Sequence, residues 1–209
     1  MNKNPKVYWL CNDEFAFEKD RELIGVNEVT IGRSLDSIID QNIGKSMRSV
    51  WPSDFYFPVV GTKPVDLLLC TSRVEAVSER AKKIIENTAC DEVEFLPLKV
   101  LFNDGKKRFY EHYWVLNILC IVDEPLDWKR TVWTQPEPPE RNDKKAYMKI
   151  FKPCFIEEKI AGKHFFHSKI GGVINISKYL SRELVENLKR ANSSLGMHFS
   201  PVHTSHENE

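Results

Sequence analysis

Val65-Asp66-Leu67-Leu68-Leu69-Cys70 and, after a short break, Ser78-Glu79-Arg80-Ala81-Lys82-Lys83-Ile84-Ile85-Glu86-Asn87 decide how the chain folds. The first stretch is an apolar run of strand length. The second spaces its apolar side chains helically, with Ala81, Ile84 and Ile85 on one face. Next come a strand pattern from Val93 to Leu101, the turn signal Asn103-Asp104-Gly105, and the alternating run from Phe109 to Val122, which predicts the long return strand of a hairpin. Strand, helix and hairpin in close succession predict an α+β protein. Its sheets should be mixed and mostly antiparallel, with a few packed helices, in one unit or two small lobes.

Upstream, Val7 to Cys11 reads as an opening strand and Asp13 to Phe17 as the loop after it. Between Val29 and Asp40 helix and strand do not separate. Trp51 to Pro58 is aromatic but bracketed by prolines, which predicts an extended or turn segment closing an N-terminal lobe over 1–62. The remaining 63–209 form the main domain. Within it the proline-rich, charged stretch 135–143 is an exposed loop. Strand-like Tyr147 to Phe151, Cys154 to Ile156 and Phe165-Phe166 follow. A helix from Ser181 to Ala191 then places Leu184, Val185 and Leu188 on one side, and the tail after Val202 is expected to fray. No internal repeat of fixed period is visible, which argues against a solenoid or propeller.

The 209 residues, 42% hydrophobic and 29% charged, have the balance of a folded domain. Thirty basic side chains against thirty acidic ones leave no net charge to draw the chain to nucleic acid or to an anionic membrane. Five widely spaced cysteines without a Cys-x-x-Cys pair indicate neither a disulfide framework nor a zinc ribbon. With no signal-like or membrane-spanning run, a reducing cytoplasm is the expected compartment.

Most chemical motifs fail on inspection. Gly44-Lys45-Ser46 ends like a phosphate-binding loop, but the required glycine five positions earlier is Ile39. His164 and His167, three apart, would need His198, His203 or His206 to complete a metal site. Cys120 lies in an apolar run and reads as core. Asp123, Glu124 and Asp127 read as turn acids beside Pro125 rather than an acid–base group. Neither a catalytic residue nor a cofactor is therefore expected. Among the five tryptophans, Trp9 and Trp114 lie in strands and are expected to be buried. Trp128 and Trp133 flank Lys129-Arg130 just before the proline-rich loop, where aromatic and arginine side chains suit a binding hot spot. Trp128, Lys129, Arg130, Trp133, Glu137, Glu140 and Arg141 are the candidate partner-binding residues.

Several segments in order resemble a family of bacterial polymorphic-toxin immunity proteins, immunity family eleven, also catalogued as domain-of-unknown-function family 1629. They are Val74 with Ser78-Glu79-Arg80-Ala81, Val93-Glu94-Phe95-Leu96-Pro97-Leu98, Tyr113-Trp114-Val115-Leu116-Asn117 and Val122-Asp123. Further on come Ile160-Ala161-Gly162-Lys163-His164-Phe165-Phe166, Ile176-Ser177, Leu184 and Gly196-Met197-His198-Phe199-Ser200-Pro201-Val202. The resemblance covers Val65 to Val202 and only loosely the residues before. It implies an immunity protein of interbacterial competition, type VI secretion included. Such a protein binds a cognate toxin domain one-to-one and occludes its active site or substrate approach, without catalysis. An enzyme reversing the toxin's modification through Asp123, Glu124 or the His164–His167 pair, and a scaffold domain, are the competing readings.

Overall fold

The computed structural model describes residues 5–12, 38–51, 56–60, 65–69, 75–103, 108–134 and 149–206. Its strands are β1 (Val7–Asn12), β2 (Tyr56–Val60), β3 (Leu67–Leu69), β4 (Glu75–Ser78), β5 (Val93–Asn103), β6 (Arg108–Ile118), β7 (Ile121–Asp123), β8 (Val132–Thr134), β9 (Lys149–Lys152), β10 (Cys154–Ile156), β11 (Phe165–Ile170), β12 (Val173–Ser181) and β13 (Met197–Ser205). The helices are α1 (Glu79–Thr88), α2 (Glu157–Ile160) and α3 (Arg182–Arg190), and a helical turn spans 38–42. This is an α+β fold with mixed and antiparallel pairing.

A five-stranded sheet runs β2-β5-β6-β4-β3 and a six-stranded sheet runs β10-β13-β1-β12-β11-β7. Each sheet carries one of the two long helices on its inner face, and α1 and α3 touch each other between the sheets. Both helices start where a strand ends on a serine. The Ser78 hydroxyl accepts from the Ala81 amide and the Ser181 hydroxyl from the Leu184 amide, which satisfies amides that the first helical turn leaves unbonded. Ala81 and Ile85 of α1 meet Leu184, Val185 and Leu188 of α3 in a shared core with Leu67, Val77, Leu116, Phe165, Leu180 and Leu10. Apolar burial of this kind contributes about 25 cal/mol per Å² and is the main force joining the two sheets.

The sheets are copies of one plan. In each, three antiparallel pairings join four strands and a parallel pairing adds an edge strand, and the six-stranded sheet has one strand more, β7, parallel to β11. The central ladders match in register, although β11 against β12 shifts between Phe166 and Ser168. Leu67 opposite Val77 corresponds to Phe165 opposite Leu180, and Val77 opposite Trp114 to Leu180 opposite Tyr8. Phe95 opposite Leu116 corresponds to Phe199 opposite Leu10, and Tyr56 opposite Lys99 to Cys154 opposite His203. Pro97 and Pro201 face Trp114 and Tyr8 and lie before the point where the parallel edge strand joins, so neither removes a ladder bond. Lys82 sits 3.8 Å above the Trp114 ring, and Lys189 lies over Phe199 and Tyr8, the counterparts of Phe95 and Trp114. The second copy is permuted: its central strand is β1, from the far end of the chain, where the first copy uses β6.

Three expectations are corrected. The run from Phe109 to Val122 is not one strand. It breaks at Leu119-Cys120, whose amides both bond the Glu92 carbonyl, and β7 crosses to the other sheet beside β11. The tail does not fray at Val202, because β13 continues to Ser205 against β10 and the Ser205 hydroxyl donates to Asp127 at 2.9 Å. Trp9, expected inside, is 41% exposed on the outer face, while Trp114 packs half-buried against the central core. Asn103 ends β5 and Arg108 begins β6, but the turn at 104 and 105, the loop at 13–17 and the stretch 135–143 lie outside the described residues.

Candidate partner-binding surface

β8 and β9 form a two-stranded ribbon apart from the main sheets, with Val132 opposite Lys152 and Trp133 opposite Ile150. Its root is anchored. The buried Thr131 hydroxyl accepts from the Cys154 amide at 3.1 Å, the Asp127 amide donates to the Cys154 carbonyl, and Leu126 pairs with Phe155, which is fully buried. Asp127 ties the preceding turn to β13 through Ser205 and accepts from the Lys129 amide. The Ser205 bond is the largest influence on its carboxyl and, with the Lys129 amide and Arg130, holds it below the ordinary carboxylate range.

On this anchored base the turn before β8 exposes Trp128 (36%), and the ribbon itself exposes Val132 (51%), Trp133 (39%) and Phe151 (49%). The tryptophans meet edge to face, centroids 5.9 Å apart at 82°, so each limits the other's rotamers before anything binds. An exposed pair of touching tryptophans marks a contact surface, unlike scattered single apolar side chains. Lys129, Arg130 and Lys152 are exposed around them, with Arg130 bonded to Asp127 at 3.2 Å. Between residues 127 and 152 the sequence holds seven basic and four acidic side chains, a positive excess in a chain that is neutral overall. The structure thus brings Trp128, Lys129, Arg130 and Trp133 to one ribbon. Glu137, Glu140 and Arg141 lie outside the described residues. Phe151 was read in the sequence only as the end of a strand-like run, and Val132 was not singled out there.

The remaining polar clusters are structural. Asp66, fully buried, accepts from the Ser78 hydroxyl at 2.6 Å, from Arg80 through two bonds at 2.6 and 2.8 Å, and from the Leu195 amide at 2.9 Å. Burial pushes its carboxyl up, but these bonds outweigh it and hold the group below its ordinary range. The corresponding place in the second copy is His164, whose Nδ1 lies 3.0 Å from the Ser181 hydroxyl and 3.8 Å from Glu183. The residue types are exchanged: Asp66 on the strand and Arg80 on the helix in one copy, His164 on the strand and Glu183 on the helix in the other. Because both neighbours of His164 meet the same nitrogen, they do not form a serine–histidine–carboxylate relay, which needs one partner on each nitrogen. The copies also clasp each other here. The Glu92 carboxylate after α1 accepts from the His164 and Phe165 amides, and the Leu195 carbonyl after α3 accepts from Asp66 and Leu67.

His167 is buried and bonds the Ser177 carbonyl through Nδ1; desolvation, with Lys178 nearby, lowers its pKa to about 4, so it is neutral near pH 7. Burial and Glu92 raise the Cys120 thiol, the opposite of an activated nucleophile. Asp123 lies 3.6 Å from Lys169, Glu124 takes the Gly171 amide, and the described residues hold no group of three potential metal ligands. Ser46, of the failed phosphate motif, donates to Glu94 at 2.6 Å, and no described helix is long and apolar enough to cross a membrane.

A family model described as "Immunity protein family (Imm11)" matches residues 14–204, extending well upstream of the segments that carry the sequence resemblance. No curated protein shows significant similarity to the chain.

Proposed function

The chain belongs to the Imm11 immunity protein family, and from that premise we propose that it neutralises a cognate bacterial toxin by binding the toxin domain one-to-one in the cytoplasm, without catalysis. The observation that carries the reading is the exposed pair Trp128 and Trp133, in edge-to-face contact on the anchored root of the ribbon. Tryptophan and arginine dominate the affinity of protein interfaces when a polar rim keeps water away. The exposed Lys129, Arg130 and Lys152 suit a toxin face whose rim is acidic. Opposite charge of this kind speeds encounter and selects the partner more than it adds affinity. The loop residues Glu137, Glu140 and Arg141 belong to the same proposed contact.

The test is affinity for the cognate toxin domain, whose gene the family resemblance implies lies beside that of this chain. Trp133→Ala and Trp128→Ala are each expected to weaken binding at least tenfold, about 1.4 kcal/mol or more, with little change in thermal midpoint. Full affinity in the double variant would refute the assignment of the surface. An enzyme reversing toxin damage would instead protect without forming a complex and would lose protection on replacement of Asp123 or Glu124.

A further inference from the structure

The six-stranded sheet closes on itself. Its order puts β10 and β7 at opposite edges, yet the residues that follow β7 bond β10. The Pro125 carbonyl accepts from the Ile156 amide at 2.8 Å, the Asp127 amide donates to the Cys154 carbonyl at 2.9 Å, and Leu126 pairs with Phe155 between them. The Phe155 and Phe166 rings, on the first and fifth strands of that order, have centroids 5.8 Å apart, where a flat sheet would separate the strands by roughly 19 Å. The core inside the curl takes Val7, Val122, Phe155, Phe166, Tyr179 and Val202, one from each strand. One residue, Glu124, turns the chain from one edge to the other. Its φ of 44° lies in the left-handed region, which a Cβ makes costly. Among the described residues the other non-glycine case is Asn192, which follows α3, where helices commonly end in this conformation and asparagine tolerates it. Glu124 ends no helix. Three bonds hold it: its amide donates to the Lys169 carbonyl at 2.8 Å, its carboxylate accepts from the Gly171 amide in the β11–β12 turn, and its carbonyl accepts from Lys159 of α2 at 2.8 Å.

We propose that Glu124 is a positioning residue for partner binding: its strained corner sets the direction in which the chain leaves the closed sheet, and so holds the Trp128–Trp133 pair in the orientation that the partner meets. The proposal rests on the reading of that pair as the contact surface. Backbone held against its preference concentrates at binding and catalytic sites, where the surroundings fix it. Here the surroundings are β11, the β11–β12 turn and α2, all bonded to one residue that is followed directly by the root of the ribbon. Glycine would take this φ without strain, but it would let the corner swing and would lose the bond to Gly171. Anchors already in place before contact lose less freedom on binding, which raises affinity without adding a contact.

The experiment uses the full chain and its cognate toxin domain. Calorimetric titration, thermal melts and near-ultraviolet circular dichroism compare wild type with Glu124→Gly, Glu124→Gln, Lys159→Met and Trp133→Ala. Glu124→Gly is expected to weaken binding about tenfold while the melting temperature moves by less than about 3 °C, because relief of the left-handed backbone offsets the lost bond. In the free chain it also loses part of the tryptophan signal that Trp133→Ala removes. Glu124→Gln keeps an oxygen for the Gly171 amide and binds as wild type does. Lys159→Met, at an exposed position, weakens binding about threefold with the fold intact, so the test stands even where Glu124→Gly fails to fold. Reading affinity rather than protection keeps this role apart from an enzymatic one. Full affinity in Glu124→Gly and Lys159→Met, with Trp133→Ala weakened, overturns the proposal and leaves the tryptophan surface standing. A lowered melt with unchanged affinity confines Glu124 to stability and overturns it too. Full affinity in Trp133→Ala removes that surface and the proposal with it, and absence of wild-type binding removes the immunity reading itself.

Discussion

Asp66→Ala tests whether the exchanged clamps at the two helix starts are equivalent in place but unequal in strength. The substitution leaves the Leu195 amide and the Ser78 hydroxyl without their buried acceptor, each costing about 1 kcal/mol when a single neutral bond is lost. Arg80, whose side chain is 57% exposed, returns to water, so that ion pair adds only a few tenths to about 1 kcal/mol. The total is roughly 2–3 kcal/mol, a fall in melting temperature of about 4–10 °C for a chain of this size. His164→Ala removes one contact to Ser181 and a 3.8 Å approach to Glu183, whose side chain is 66% exposed, so its cost is about 1 kcal/mol. Urea unfolding of both variants measures the difference. Equal losses, or a loss under about 0.5 kcal/mol for Asp66→Ala, would refute the argument that the buried acceptor at Asp66 joins the two copies.

Acid should destabilise the protein through His167. Its folded pKa of about 4 lies below the unfolded value of 6.5, so its contribution is complete above pH 6.5 and is lost as pH falls toward 4, about 3 kcal/mol in all. His167→Gln should flatten the stability curve across that window, and an unchanged curve would count against the burial argument. Met47→Ala should cost about 2–4 kcal/mol by opening the outer core of the five-stranded sheet, whereas Val50→Ala, at a half-exposed position three residues on, should cost little. Equal effects in equilibrium unfolding would mean that residues 45–51 do not seal that face.

The elements readable in sequence are those whose partners are local. The Ala81–Ile85 stripe, the Leu184–Leu188 stripe and the apolar run at 67–69 announce themselves by period alone, and all lie where expected. What stayed hidden depends on distant pairing. The twin plan leaves only a short trace, Phe95-Leu96-Pro97-Leu98 against Phe199-Ser200-Pro201-Val202 and a serine before each helix, and permutation sends the second central strand to Val7–Asn12. No fixed period survives that arrangement. The tail looked loose because His203, Thr204 and Ser205 are polar; its order comes from pairing with Cys154–Ile156. At the candidate surface, Trp128 and Trp133 were legible because tryptophans flanking Lys129-Arg130 before a proline-rich loop are unusual for a core. Trp9 was not, since a tryptophan in a central strand is ordinarily buried, whereas here it is 41% exposed.

Co-expression with the cognate toxin domain, followed by size-exclusion purification, shows whether protection and complex formation go together. Rescue of growth is expected together with a one-to-one complex, and loss of both in the Trp128→Ala, Trp133→Ala double variant with its fold intact. Rescue without any complex would contradict neutralisation by binding.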